Sequence, residues 1–226
     1  NMDLLEEGLA SGRTVIAGRL LQENGGKMIS EDPLKTAQLL CNGAIEARVL
    51  GFGRPAMSIT GSGAHGIIAT MPLYAWYRVN QGELKEEVLL RATALSYLIT
   101  MYIKEYSGKL SAFCGCGIAA GTGMACALAY MRGADEPVID AVIRNMASSL
   151  TGMICDGGNH GRAMKGIVAV DAAFRAADLA LGGICIESIH GINGRTPEDT
   201  MKYMGMIASP GMTGTEKTIV EIMEQK

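Results

Sequence analysis

A 22-residue stretch with no charged side chain runs from Leu110 to Met131, LSAFCGCGIAAGTGMACALAYM, between Lys109 and Arg132. It is about as long as the 20 or so residues a helix needs to cross a bilayer. Its apolar content, however, is mostly alanine and glycine, and short side chains remove little apolar area from water. The alternative is a helix buried on all sides, where small residues let neighbouring helices approach closely. The transfer argument favours this second reading, so the stretch is expected to be the buried axis of a helical fold.

Around that axis the apolar positions keep a helical period. Residues 3–23 read as one helix interrupted near Gly12 and ended by Gly25 and Gly26. Pro33 opens the next, in which Leu34, Ala37, Leu40, Cys41, Ala44 and Ile45 keep helical spacing. The loop TGSGAHG, residues 60–66, leads into an apolar helix from Ile67 to Tyr77. Glu83 to Tyr106 reads as a long helix with acidic first turns. Another runs from Val138 to Leu150 after GADEP. CDGGNHG, residues 155–161, then interrupts the pattern. A helix from Ile167 to Leu181 carries Asp171, Arg175 and Asp178 on one face, and a helix opened by Pro197 follows. The last is expected to start at Thr213 or Thr215 as N-cap. No alternating β-pattern appears. The expectation is an all-α fold, one domain over residues 1–226, with helices packed around the small-residue central helix.

Composition sharpens this picture. Of 226 residues, 48% are hydrophobic but only 5% aromatic, with 30 glycines and 15 methionines. The core must therefore come from Ala, Leu, Ile and Met at close helix–helix contacts. A net charge of −3 without a basic block argues against nucleic acid as a partner. The acidic start NMDLLEEGLA is unlike a signal peptide, which with the absence of a membrane reading points to the cytoplasm. Six cysteines in a reducing compartment are not expected to form a disulfide framework. Cys41 and Cys185 read as core thiols within apolar helices, and Cys126 as packing.

Candidate chemistry gathers in the two glycine-rich loops. TGSGAHG before a helix can present N–H groups at a positive dipole end to phosphate or carboxylate, or serve only as a tight turn. His65 within it is either a ligand donor or a solvated loop side chain. CDGGNHG and its flank place Cys155, Asp156, Asn159, His160 and Arg162 within eight residues. Thiolates from Cys155 and from Cys114 or Cys116 can share a soft metal or an iron–sulfur cluster, or be buried thiols at a helix crossing.

GRPAMSITGSGAHGIIATMP, KLSAFCGCGIAAGTGMA, LTGMICDGGNHGRAMK and EKTIVEIM occur here in the order in which similar blocks occur in the C-terminal part of the L-cysteine desulfidase family. The chain resembles that family, which is related to the iron–sulfur-dependent L-serine dehydratase α chain. The resemblance implies a lyase that eliminates the β-substituent of a small amino acid, leaving an aminoacrylate that hydrolyses to pyruvate and ammonia. It also implies a 4Fe–4S cluster held by three cysteines, with an open iron acting on the leaving group. Cys114 matches the first ligand and Cys155 the second. The third position holds Arg162, while Ala163 and Lys165 beside it match, so Cys116 or His160 would have to substitute. In a cluster-free relative, Arg162 would instead bind a carboxylate or phosphate and run a different lyase, hydratase or isomerase reaction.

On this reading His65, His160 and Lys165 are the acid–base candidates. Ser62, Gly63, Lys109, Asn159 and Arg162 are the substrate-binding candidates. The family's N-terminal part, with its GCTEP-like segment, has no counterpart here. A companion subunit, a longer protein or a homo-oligomer is therefore expected as partner, and a non-catalytic binding subunit is a third reading.

Overall fold

Asp32, Ser62, Asp135 and Thr196 each precede a helix and accept a hydrogen bond from the backbone N–H three residues on. Proline occupies the first or second position after Asp32, Asp135 and Thr196. These caps satisfy donors that a helix start leaves without partners. The computed structural model describes residues 1–108 and 111–226. Among them it has ten α-helices: α1 Met2–Ala10, α2 Val15–Glu23, α3 Pro33–Val49, α4 Gly63–Val79, α5 Glu86–Ser107, α6 Gly121–Met131, α7 Glu136–Leu150, α8 Arg162–Leu181, α9 Pro197–Met206 and α10 Thr213–Met223. No strand forms among the described residues, and their β-pairing is limited to two isolated bridges.

α6 is the axis expected from the sequence. α4, α5, α7 and α8 all pack on it, and every residue from Gly121 to Ala129 is buried. Small side chains set the approach distance. A methyl group at Gly123 would overlap the Ser96 carbonyl and come within 2.6 Å of Thr100 Oγ1, so α5 and α6 touch through backbone. The hydroxyls in this interface are bonded: Ser96 Oγ donates to the Ala69 carbonyl of α4 (2.9 Å) and Thr122 Oγ1 to the Ile118 carbonyl (2.8 Å). Buried hydroxyls without such partners would oppose the packing. No helix of the described residues is long and apolar enough to cross a membrane.

Several boundaries differ from the sequence pattern. The expected first helix is two, because the chain turns at Gly12, where φ is +67°. α8 begins at Arg162 rather than Ile167, directly after the second glycine loop. The uncharged stretch is not helical from its start. Residues Ala112 to Cys114 are extended against Met153 to Cys155, and Cys116–Ala120 forms a π-turn before α6. Cys185 does not sit in a helix: it lies past the end of α8, half-buried. Thr213 is not an N-cap, since Met212 precedes α10 and Thr213 Oγ1 donates to the Pro210 carbonyl (2.8 Å).

Candidate functional site

The first glycine loop is a tight turn closed by Ile59 and Ser62, whose N–H and C=O groups bond reciprocally at 3.3 and 3.1 Å. Its central residues, Thr60 and Gly61, have φ of +53° and +79°. Glycine adopts this conformation freely, but a β-branched residue does so at a cost. Thr60 is held there by its hydroxyl, which donates to the Ile59 carbonyl (2.7 Å) and contacts His65 Nδ1 (2.7 Å). With its proton directed to Ile59, the hydroxyl accepts from Nδ1–H. His65 is thereby fixed as the Nδ1–H tautomer, with Nε2 unprotonated.

His65 is not a solvated loop residue. It is the third residue of α4, its N–H bonded to the Ser62 cap, and only 6% of it is exposed. Nε2 faces Gly115: a Cβ there would lie 2.7 Å from Nε2 and 3.2 Å from Lys104 Cδ. Burial, then the Lys104 charge and, more weakly, the Arg162 charge, lower the His65 pKa to about 4. The imidazole is neutral at neutral pH and able to accept a proton at Nε2. Lys104, on the core-facing side of α5, is itself buried, and that burial lowers its pKa.

The opposite wall comes from the two cysteine-bearing segments. Cys114 N–H donates to the Met153 carbonyl (3.0 Å) and Cys155 N–H to the Ala112 carbonyl, around a bridge between Phe113 and Ile154. In the π-turn that follows, the Gly115 carbonyl accepts from both Ala119 N (2.9 Å) and Ala120 N (3.0 Å). Cys114 Sγ and Cys116 Sγ are 3.4 Å apart, with the Cys155 thiol also beside Cys114. The hydrogen bond with Cys116, together with burial, pushes the Cys114 thiol up to about 11; the Cys155 thiol is raised by its contact with Cys114 and by burial. The bond from Cys114 and the charge of Arg162 hold Cys116 below the ordinary thiol range, against burial.

Thr60, Gly61, Ser62, His65, Lys104, Ser111, Phe113, Gly115, Cys116, Cys155 and Arg162 line one cleft of about 110 Å³. Arg162 opens α8 and donates to the Gly157 carbonyl (3.0 Å). A cation at a helix N-terminus adds to the dipole's positive end instead of offsetting it, and the α4 N-terminus lies in the same cleft. Ser111 Oγ is buried there with no hydrogen-bond partner among the described residues. The cleft is thus cationic, with an unfilled hydroxyl and a neutral imidazole, which suits a small anion such as a carboxylate. A neighbouring pocket of about 230 Å³, lined by Thr60, Met101, Lys104, Glu105 and Gly108, adjoins it.

Of the sequence candidates, Ser62, His65, Cys116, Cys155 and Arg162 meet in this cleft, with Cys114 directly behind its wall. Gly63 packs toward Ala56 and Arg48, while Asn159 bonds within its own loop to Asp156 and Gly161. Lys165 is paired with Asp156. His160 Nε2 meets the buried Glu46 Oε1 at 2.6 Å and is not among the cleft residues. Lys109 lies outside the described residues. Thr60, Lys104 and Ser111 are cleft residues that the sequence reading did not single out. The period of α5 carries the signal for one of them: Lys104 falls in register with the buried Ala92, Ser96, Thr100 and Ser107.

The donor set does not fit the three-thiolate cluster implied by the resemblance. Arg162 stands at the third position. Among the described residues, no three His, Cys, Asp or Glu side chains are placed to hold a metal ion.

Fold and cleft together are an all-helical arrangement around a cationic, thiol-walled cleft. The chain matches the family described as serine dehydratase alpha chain over residues 1–221, and it belongs to that family. It is 48% identical over 223 residues to a UPF0597 protein of Clostridium botulinum (strain Hall), an alignment covering 99% of this chain and 51% of the relative. A UPF0597 protein of Alkaliphilus oremlandii is 40% identical over 225 residues, covering 99% of this chain and 52% of the relative. One from Caldanaerobacter subterraneus subsp. tengcongensis is 38% identical over 231 residues, covering all of this chain and 54% of the relative. The chain spans about half the length of these curated relatives. No solved structure matches it.

Proposed function

We propose that this chain carries the substrate cleft of a lyase of the L-serine dehydratase and L-cysteine desulfidase type, acting on a small amino acid or related carboxylate. The observation that carries the reading is His65 Nε2, unprotonated and facing a cleft that holds Lys104 and Arg162. Arg162, Lys104 and the N–H groups opening α4 take the substrate carboxylate. His65, neutral at neutral pH, accepts the α-proton; the bound carboxylate offsets the Lys104 and Arg162 charges that, with burial, hold its pKa low. The elimination then releases the β-substituent and leaves the aminoacrylate. A guanidinium at the third cluster position favours binding by charge there over ligation of iron. The remainder of the working enzyme comes from a companion chain or the other half of a longer protein, in the cytoplasm.

The test is keto-acid release from L-serine and L-cysteine, paired with ligand-detected NMR binding of the same amino acids. Arg162→Ala is expected to weaken binding by roughly 10- to 100-fold, the loss of a charge-assisted hydrogen-bond pair worth about 1.5–3 kcal/mol. Binding and turnover unchanged in Arg162→Ala would overturn the assignment.

A further inference from the structure

Residues two apart on a regular helix point to different sides. Cys114 and Cys116 do not, because the chain passes from the extended segment ending at Cys114 straight into the π-turn that begins at Cys116. Gly115 between them carries no side chain to separate them. Their sulfurs are 3.4 Å apart; Cys116, 4% exposed, lines the cleft, while Cys114, 1% exposed, lies behind it. Of the other thiols, Cys41 and Cys126 are fully buried and Cys185 lies away in the segment after α8; Cys155 lines the cleft beside Cys114 but belongs to the separate segment across the backbone bridge. From this placement we infer that Cys114 and Cys116 form a redox-active dithiol, oxidised to an intramolecular disulfide by a small-molecule disulfide that enters the cleft.

The chemistry balances with that oxidant alone. The Cys116 thiolate attacks one sulfur of the incoming disulfide, breaking its S–S bond and releasing one thiolate, which takes up the proton Cys116 gave up. Cys114 then loses its proton and attacks Cys116 Sγ in the mixed disulfide. The second small thiol leaves with that proton. The protein pair is oxidised by two electrons and the small disulfide is reduced to two thiols. Closing the bond brings the sulfurs from 3.4 Å to about 2.05 Å.

The experiment equilibrates the reduced chain anaerobically with mixtures of reduced and oxidised glutathione, quenches with acid, alkylates the unfolded protein and maps the labels by mass spectrometry. Trypsin leaves Cys114, Cys116 and Cys126 in one peptide, Leu110–Arg132, and Cys155 in another. A Cys114–Cys116 bond and a Cys114–Cys155 bond are therefore told apart directly. The expected result is that Cys114 and Cys116 lose their labels together, their peptide lighter by two hydrogens, while Cys126 stays labelled. Cys155→Ser should behave as the wild type. Labels on both residues at every glutathione ratio would overturn the assignment, as would a Cys114–Cys155 bridge. So would iron and sulfide retained at these cysteines after anaerobic isolation. The mapping needs no turnover and uses the wild-type chain, so its failure leaves the proposed elimination chemistry standing.

Discussion

Thr60 Oγ1 lies 2.7 Å from His65 Nδ1 and 2.7 Å from the Ile59 carbonyl, so one hydroxyl fixes both a left-handed backbone residue and the proton position on an imidazole. Strain at Thr60 and orientation at His65 are one arrangement. Non-glycine residues at positive φ cost on the order of 1 kcal/mol, which the surrounding bonds must offset.

Thr60→Ser should therefore keep the Nδ1–H tautomer of His65, and Thr60→Val should lose it. Long-range ¹⁵N–¹H spectra of histidine-labelled protein read this directly, because the chain has only three histidines. Thr60→Val should also destabilise the fold by about 1 kcal/mol through the lost hydrogen bond. An unchanged tautomer in Thr60→Val would show that the hydroxyl does not set it.

The low pKa of His65 makes stability depend on pH. The folded state titrates near pH 4 and the unfolded chain near 6.5, so between those values the unfolded state binds more protons. The His65 contribution is complete above pH 6.5, declines as pH falls and levels off below about 4, a total of about 3 kcal/mol. Urea denaturation from pH 7 to pH 4 should show a steeper loss for the wild type than for His65→Gln. Parallel curves would mean that His65 is not held neutral.

Gly115→Ala puts a methyl 2.7 Å from His65 Nε2. The ring must swing away, which separates it from Thr60 and opens it to water. The expected outcome is a His65 pKa returned toward its ordinary value and a stability loss of about 1–3 kcal/mol from overpacking. NMR titration and thermal melting measure the two effects separately.

Glu46 is fully buried and accepts from Ile16 N (3.1 Å), Ala17 N (2.8 Å) and His160 Nε2 (2.6 Å). It caps the start of α2 and ties the second glycine loop to α3. Glu46→Gln should cost about 2 kcal/mol, since charge-assisted bonds are replaced by neutral ones. His160→Ala should cost less, because its ring is half-exposed, but should speed amide exchange across residues 155–161. Denaturation and hydrogen exchange distinguish the two.

The axial helix was legible because a charge-free run of Ala and Gly has few stable placements outside a helical core. The helix starts at Pro33 and Pro197 were legible because proline suits a first helical position; the caps before them, Asp32 and Thr196, came from the structure. Legibility failed where partners are distant in sequence. Nothing local in LSAFC shows that it pairs with TGMIC, so the helix was expected to begin too early. His160 shares a loop with Cys155, yet its partner Glu46 is 114 residues away. Lys104 was overlooked although its register on α5 was visible, since a lysine is ordinarily placed in solvent. Arg162 was the departure the sequence exposed most plainly, and it lies in the cleft.

The pairing of residues 112–114 with 153–155 divides the site into a part that is hard to alter and a part that is easy. Both clipped segments hold each other by backbone bonds, so a backbone shift in either displaces two thiols at once. Arg162 stands outside the clip on the first turn of a separate helix, where a side chain can be exchanged without moving the backbone. The architecture lets one residue rewrite the charge of the cleft while the wall opposite keeps its shape.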